Sequence, residues 1–199
     1  CLDACGFTFL FAPHFHPAMK AIAPVRQALG VRTVFNILGP LTNPAAPPFH
    51  VIGAYNAEIA ELMAQTLSGL EVRRAFVLHS SNGWDEPTPI APFTVFDVRP
   101  GSITRGTRSA ADFGLPSCSA ESLAGGTATQ NAAALRAVLR GEDRGSHRDA
   151  LLLGAALALE VAGAVSGPRE GVSRAARAID NGSAAGVLER LAAFGAKSA

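Results

Sequence analysis

Two adjacent carboxylates, Asp85 and Glu86, are the side chains best suited to chemistry. They close the run Ser80-Ser81-Asn82-Gly83-Trp84-Asp85-Glu86, directly after an apolar segment that reads as a strand. In open α/β sheets, ligands gather outside the carboxyl ends of strands. Two acids on such a loop can hold Mg²⁺ through hard oxygen ligands, leaving its other positions to water and phosphate oxygens. The plain alternative is a solvated surface pair, where charged loop residues usually sit. Arg26 is the second candidate. It shares a helical face with Met19, downstream of His16. Its surroundings are almost free of acid: between Cys1 and His50 the only carboxylate is Asp3, against Lys20, Arg26 and Arg32. A segment that excludes negative charge suits an anionic ligand, and a guanidinium pairs bidentately with a carboxylate. A solvated helical arginine is the alternative. His16 and Met19, with Ala12 and Pro13, read by themselves as a packed helix start. His14 and His16 lack a third ligand at metal-type spacing. Gly125-Gly126 before Thr127 could mimic a phosphate-holding helix start. It lacks the fuller glycine pattern and a lysine, so it reads as a structural loop.

The elements that must position these groups follow from pattern. Residues 2–6 read as a helix end stopped by Gly6, and 7–12, rich in Phe and bounded by Pro13, as a short buried strand. Pro17 suits the first position of a helix running to Leu29, with a kink at Pro24. Residues 33–38 are a second short helix or an extended piece, and Gly39-Pro40 and Asn43-Pro44 are breakers. Then come a strand over 50–55, an amphipathic helix over 58–70 and a strand over 74–79. That order predicts an α/β fold with a mostly parallel sheet and covering helices. Residues 80–89 are a loop and 92–99 a further strand, for which antiparallel pairing is open. Residues 101–107 read as a polar turn region and 111–115 as a short extended piece. Helices over 127–139, 149–165, 172–179 and 183–194 close the chain, the last two split at Gly182.

The totals agree with a globular protein. Hydrophobic residues make up 48% and charged residues 17% of 199, too apolar for a disordered chain. A formal net charge of +1 argues against a general nucleic-acid binder. Cys1, Cys5 and Cys118 form no metal-type spacing, and an odd count suits a reducing compartment. A cytoplasmic location is therefore expected. Cys1 and Cys5 read as small buried residues. The run 150–165 is too short to cross a membrane and contains Glu160, so it reads as a buried helix. The chain begins with Cys rather than Met and reads as a piece of something longer.

Between Phe9 and Pro44 the sequence resembles the anthranilate phosphoribosyltransferase family. The matching pieces are Phe9-Leu10-Phe11-Ala12-Pro13, His16-Pro17-Ala18-Met19-Lys20, Val25-Arg26 and Phe35-Asn36-Ile37-Leu38-Gly39-Pro40-Leu41-Thr42-Asn43-Pro44. The resemblance runs from Cys1 to about Phe194 and covers the C-terminal part of the family. It implies an α/β domain, beginning in residues 1–12 and completed by 45–199, with 13–44 contributed to a small all-helical domain and a hinge. It also implies transfer of a phosphoribosyl group from phosphoribosyl pyrophosphate to anthranilate, in tryptophan biosynthesis. By the same resemblance, Asp85 and Glu86 hold the Mg²⁺ on the pyrophosphate, and Arg26 binds the anthranilate carboxylate. His16, Met19, Ala12 and Pro13 line the route of the aromatic substrate. The expected assembly is a homodimer through the small helical domain, with no nucleic-acid or membrane partner.

Some positions depart from the family pattern. Asn82-Gly83-Trp84 stands where many relatives have an acid, a glycine and a small aliphatic residue. Gly154 stands where relatives often have asparagine. The family's glycine-rich phosphate loop and its Lys-His-Gly-Asn segment match no stretch of the 199 residues, so the isolated chain is expected to be inactive. The chemistry demands no nucleophile or general base among these residues. Two alternatives remain: a non-catalytic nucleic-acid-binding relative of the same fold, and a nucleoside phosphorylase-like enzyme.

Overall fold

The structure is a computed structural model that describes residues 1–15, Ala28 and 35–197. Apart from Ala28, the predicted helix over 17–29 lies outside the described residues, as do His16, Met19 and Arg26. The elements that position the acidic loop are four strands and the helices on either side of them. The strands are β1 (Phe49–Gly53), β2 (Arg74–Ser80), β3 (Phe93–Arg99) and β4 (Ser102–Arg108), in spatial order β1-β2-β3-β4.

The strand-helix-strand order of the sequence is realised. Helix α4 (Ala57–Ser68) links β1 to β2, which pair in parallel with Val51 opposite Phe76. It follows α1 (Leu2–Cys5), α2 (Ala12–Phe15) and α3 (Phe35–Leu41). Asn56 starts α4 by accepting a 2.8 Å hydrogen bond from the Ile59 N–H, relieving one of the donors a helix start leaves unpaired. Ala60, Met63, Ala64 and Leu67 recur at spacings of three and four and are buried against the sheet.

A mostly parallel sheet was the expectation; the described sheet is mixed. β2 pairs with β3 and β3 with β4, both antiparallel. For β3 and β4 the cause is short-range. Arg99 and Ser102 face each other across Pro100-Gly101. Gly101 has φ 69°, and proline followed by a left-handed glycine is the preferred centre of a tight type II turn. So tight a connection returns the chain antiparallel. The Gly101 N–H also donates to the Ser68 carbonyl, tying the turn to the end of α4. β4 occupies the region expected to be a polar turn. Residues 102–107 are exposed, so no apolar alternation marks it.

Other expectations change locally. Residues 7–11 form no strand, and Phe7, Phe9 and Phe11 are exposed. A strand exists only through pairing, and among the described residues none pairs with this segment. α3 runs through Gly39-Pro40 rather than stopping before it. It ends where the Thr42 hydroxyl donates to the Leu38 carbonyl at 2.9 Å. Residues 110–113 form a 3-10 turn, not an extended piece. Cys1 is exposed, whereas Cys5 is buried as expected.

The core lies on both faces of the sheet. On one, Ile52, Ala75, Val77, Phe96 and Val98 meet α4. On the other, Phe76, Leu78, Phe93 and Val95 meet helix α6 (Ser146–Val161) through Leu153, Ala156 and Leu157. Between α4 and α6 in sequence lies α5 (Ala128–Leu139), and after them come α7 (Pro168–Asp180) and α8 (Ser183–Lys197). Glu160, the one acid in the apolar run, is 8% exposed. Its carboxylate takes both Arg108 nitrogens at 2.7 and 2.9 Å, and its carbonyl takes Arg74 at 2.8 Å. Removing one partner of such a buried pair typically costs about 3–5 kcal/mol, because the other charge stays buried.

His50, half-buried in β1, has its pKa held below the ordinary histidine value by burial, partly opposed by a hydrogen bond to the Pro47 backbone. A depressed pKa contributes stability that is present above the unfolded value of 6.5 and lost as pH falls through the folded value. Thermal melts of the wild type should therefore fall from neutral to mildly acid pH. His50→Gln should flatten part of that slope; an unchanged slope would contradict the assignment.

Candidate functional site

The acidic pair sits where the sheet ends. After Ser80 the chain leaves β2 in a tight neck, in which the Ser80 N–H donates to the Trp84 carbonyl and the Gly83 N–H to the Ser80 carbonyl, both at 2.9 Å. Gly83 has φ 87°, a value L side chains avoid. Opposite the neck, β1 continues into Ala54, whose N–H donates to the Leu78 carbonyl at 2.8 Å. Its carbonyl accepts from His79 Nδ1 at 2.9 Å. The C-terminal ends of β1 and β2 are thus joined beside the loop.

Asp85 and Glu86 are both exposed. The Asp85 backbone packs directly over Gly53, the last residue of β1, so closely that a Cβ on Gly53 would overlap its carbonyl oxygen. Beyond Glu86 the loop turns inward: Thr88 and Pro89 are buried, and Pro89 accepts a hydrogen bond from the Cys118 N–H. The two carboxylates therefore project from a stretch anchored on both sides.

Glu86 and Thr88 border an open cleft of about 930 Å³. Its far wall is α5 and α6, including Leu135, Leu151 and Ala155, and its rim carries Gly125, Gly126 and His147. Gly154, the departure from the family pattern, also lines it. The Gly126 N–H is not a free donor. The Gly126 N–H gives a 2.7 Å hydrogen bond to Asn131 Oδ1, and Asn131 Nδ2 returns one to the Gly126 carbonyl. The Thr127 N–H donates to Gln130 Oε1 at 2.8 Å. A capping box between Thr127 and Gln130 closes the start of α5, in keeping with a structural loop.

The donor set fits Mg²⁺. No group of three or more His, Cys, Asp or Glu among the described residues could hold a metal by itself. Mg²⁺, however, commonly takes one or two carboxylates and completes its shell with water and substrate phosphates. Two exposed carboxylates on an anchored loop at the carboxyl end of a sheet offer that arrangement.

Of the other candidates, Ala12 and Pro13 fall in α2. His16, Met19 and Arg26 lie outside the described residues. His14 is exposed. Gly53 was not among the candidates. Its signal was a glycine ending an apolar strand, a pattern that marks close backbone approach.

The sequence profile of the family described as "Glycosyl transferase family, a/b domain" matches residues 1–185. An anthranilate phosphoribosyltransferase of Herpetosiphon aurantiacus is 46% identical over 192 residues, covering 96% of this chain and 57% of the relative. Among solved structures, the anthranilate phosphoribosyltransferase of Thermus thermophilus superposes with a TM-score of 0.85 at 40% identity, over 96% of this chain and 56% of that one. The Saccharomyces cerevisiae enzyme in complex with PRPP and Mg gives a TM-score of 0.86 at 29% identity, over 92% and 53%. The chain spans about half the length of the curated relatives it matches.

Proposed function

Since the chain belongs to the glycosyl transferase family through its a/b domain, we propose that it forms part of an enzyme moving a phosphoribosyl group from phosphoribosyl pyrophosphate to anthranilate. The observation that carries the reading is the anchored Asp85-Glu86 pair at the carboxyl end of the sheet, in a chain nearly half identical to anthranilate phosphoribosyltransferases.

In this reading Asp85 and Glu86 would hold Mg²⁺. Bound there, the ion supplies charge neutralisation for the leaving group. Arg26 takes the anthranilate carboxylate in a bidentate pair. His16, Met19, Ala12 and Pro13 border the path of the aromatic ring. The anthranilate amine attacks the anomeric carbon of the ribose, the bond to pyrophosphate breaks, and the amine loses its proton afterwards. No residue of the chain has to act as a nucleophile. Catalysis then rests on orientation and on electrostatic stabilisation of the departing pyrophosphate.

The nearest competing activity is nucleoside phosphorolysis, and nothing in the site favours it. The discriminating experiment gives the polypeptide, at the full length of its relatives, two substrate pairs. Anthranilate with phosphoribosyl pyrophosphate should be converted in the presence of Mg²⁺, and a nucleoside with inorganic phosphate should release no free base. Free base without anthranilate turnover would replace the proposal with the phosphorylase reading.

A further inference from the structure

We infer that Gly53 is a positioning residue for the cation-holding loop: its lack of a side chain lets the Asp85 backbone seat on the end of β1. The inference rests on the proposed cation role of Asp85 and Glu86. The three atoms nearest to a Cβ built on Gly53 all belong to Asp85. It would overlap the carbonyl oxygen, lie 2.7 Å from the carbonyl carbon and 3.2 Å from the Asp85 Cβ. Two of these are backbone atoms, which cannot swing aside as the end of a long side chain can.

Conformation is not the reason for glycine here. Gly53 does not have the positive φ seen at Gly83 or Gly101. It is a regular strand residue, in register with Leu78. Nor is core packing the reason, because Gly53 is itself exposed. Gly171 shows the contrasting case. It is buried, and a Cβ on it would lie 2.8 Å from the Cα of Ala156, inside the crossing of α6 and α7. Gly171 serves the fold, whereas space at Gly53 serves the loop alone.

The loop has little freedom to absorb the intrusion. Its neck is closed by the Ser80 to Trp84 hydrogen bond, and its far side is fixed at buried Thr88 and Pro89. A side chain at position 53 must therefore displace the peptide between Asp85 and Glu86, and both carboxylates with it. Losing a contact that orients a metal's ligands typically costs about 10- to 100-fold in metal affinity.

The chain carries its own reporter. Trp84 is its single tryptophan and adjoins Asp85. Tb³⁺ takes hard oxygen ligands, and an excited indole beside it sensitises its emission. Titration of the full 199-residue chain with Tb³⁺, exciting Trp84, reads occupancy of this loop without any turnover. Wild type should give saturable sensitised emission, and the double variant Asp85→Asn, Glu86→Gln should give none. Gly53→Ala should weaken the apparent affinity by about 10- to 100-fold. Gly171→Ala should lower the thermal midpoint yet leave the affinity within about 2-fold.

If Gly53→Ala titrates like wild type while the double variant is silent, the role of Gly53 falls and the cation reading stands. If wild type titrates no better than the double variant, the cation reading falls and takes this inference with it. Loss of the thermal transition in Gly53→Ala would also overturn the inference, because Gly53 would then serve the fold.

Discussion

Asp85→Asn combined with Glu86→Gln is expected to lower phosphoribosyl transfer by about 100- to 1,000-fold at saturating substrates. The figure follows from the several kcal/mol a metal ion supplies to a developing charge, at about 1.4 kcal/mol per factor of ten. The carboxamides keep the shape of the loop and remove only the charge that attracts a hard cation. Because both side chains are exposed, the thermal midpoint should stay within a degree or two of wild type, as surface substitutions usually do. The loss should therefore appear in steady-state rates and in the Mg²⁺ concentration needed for half-activity, without a change in folding. A double variant that keeps full Mg²⁺-dependent activity would remove Asp85 and Glu86 from the site.

The second large effect is expected at Arg26. Arg26→Ala should raise the KM for anthranilate by about 10- to 100-fold. A hydrogen-bonded charge pair contributes about 1.5–3 kcal/mol, and the substrate carboxylate would be left without its partner. The KM for phosphoribosyl pyrophosphate should be nearly unchanged, since Arg26 is assigned to the other substrate. Arg26→Lys should recover only part of the loss, because an ammonium cannot reproduce the planar fork of a guanidinium. Equal increases in both KM values would contradict the assignment. If both results hold, the site divides into a half that handles the leaving group and a half that handles the acceptor.

Much of this arrangement was legible in the chain itself. The strand-helix-strand unit of β1, α4 and β2 followed from its periodicity, and the structure places its ends within a residue or two of the reading. Asp85 and Glu86 were visible because two acids follow an apolar strand, and their loop does lie at the carboxyl end of the sheet. The misses have physical causes. β4 escaped because Ser-Ile-Thr-Arg-Gly-Thr-Arg is exposed along nearly its whole length, and an edge strand with two wet faces has no alternation to read. α3 passed through Gly39-Pro40 because a single proline forfeits only one helical hydrogen bond and the helix ends one residue later. Phe7, Phe9 and Phe11 looked buried by residue type, yet type alone does not supply a neighbouring strand.

Contacts between distant segments were the least visible. Glu160 stood out as an acid in an apolar run, but its partners Arg108 and Arg74 come from strands far away in sequence. In the sequence Gly53 is a glycine ending an apolar strand, which marks a close approach but not what approaches. Only the folded chain brings the Asp85 peptide onto it. Periodicity reports which face of an element is buried. It does not report which loop crosses the end of a strand, and the geometry of this site depends on that crossing.

The most direct test of the account follows the reaction itself. The polypeptide at the length of its relatives is mixed with anthranilate and phosphoribosyl pyrophosphate, and anthranilate fluorescence and released pyrophosphate are measured together, with and without Mg²⁺. Anthranilate should disappear, one pyrophosphate should be released for each anthranilate consumed, and removing the metal should stop both. Pyrophosphate release without loss of anthranilate, or turnover indifferent to Mg²⁺, would contradict the proposed reaction.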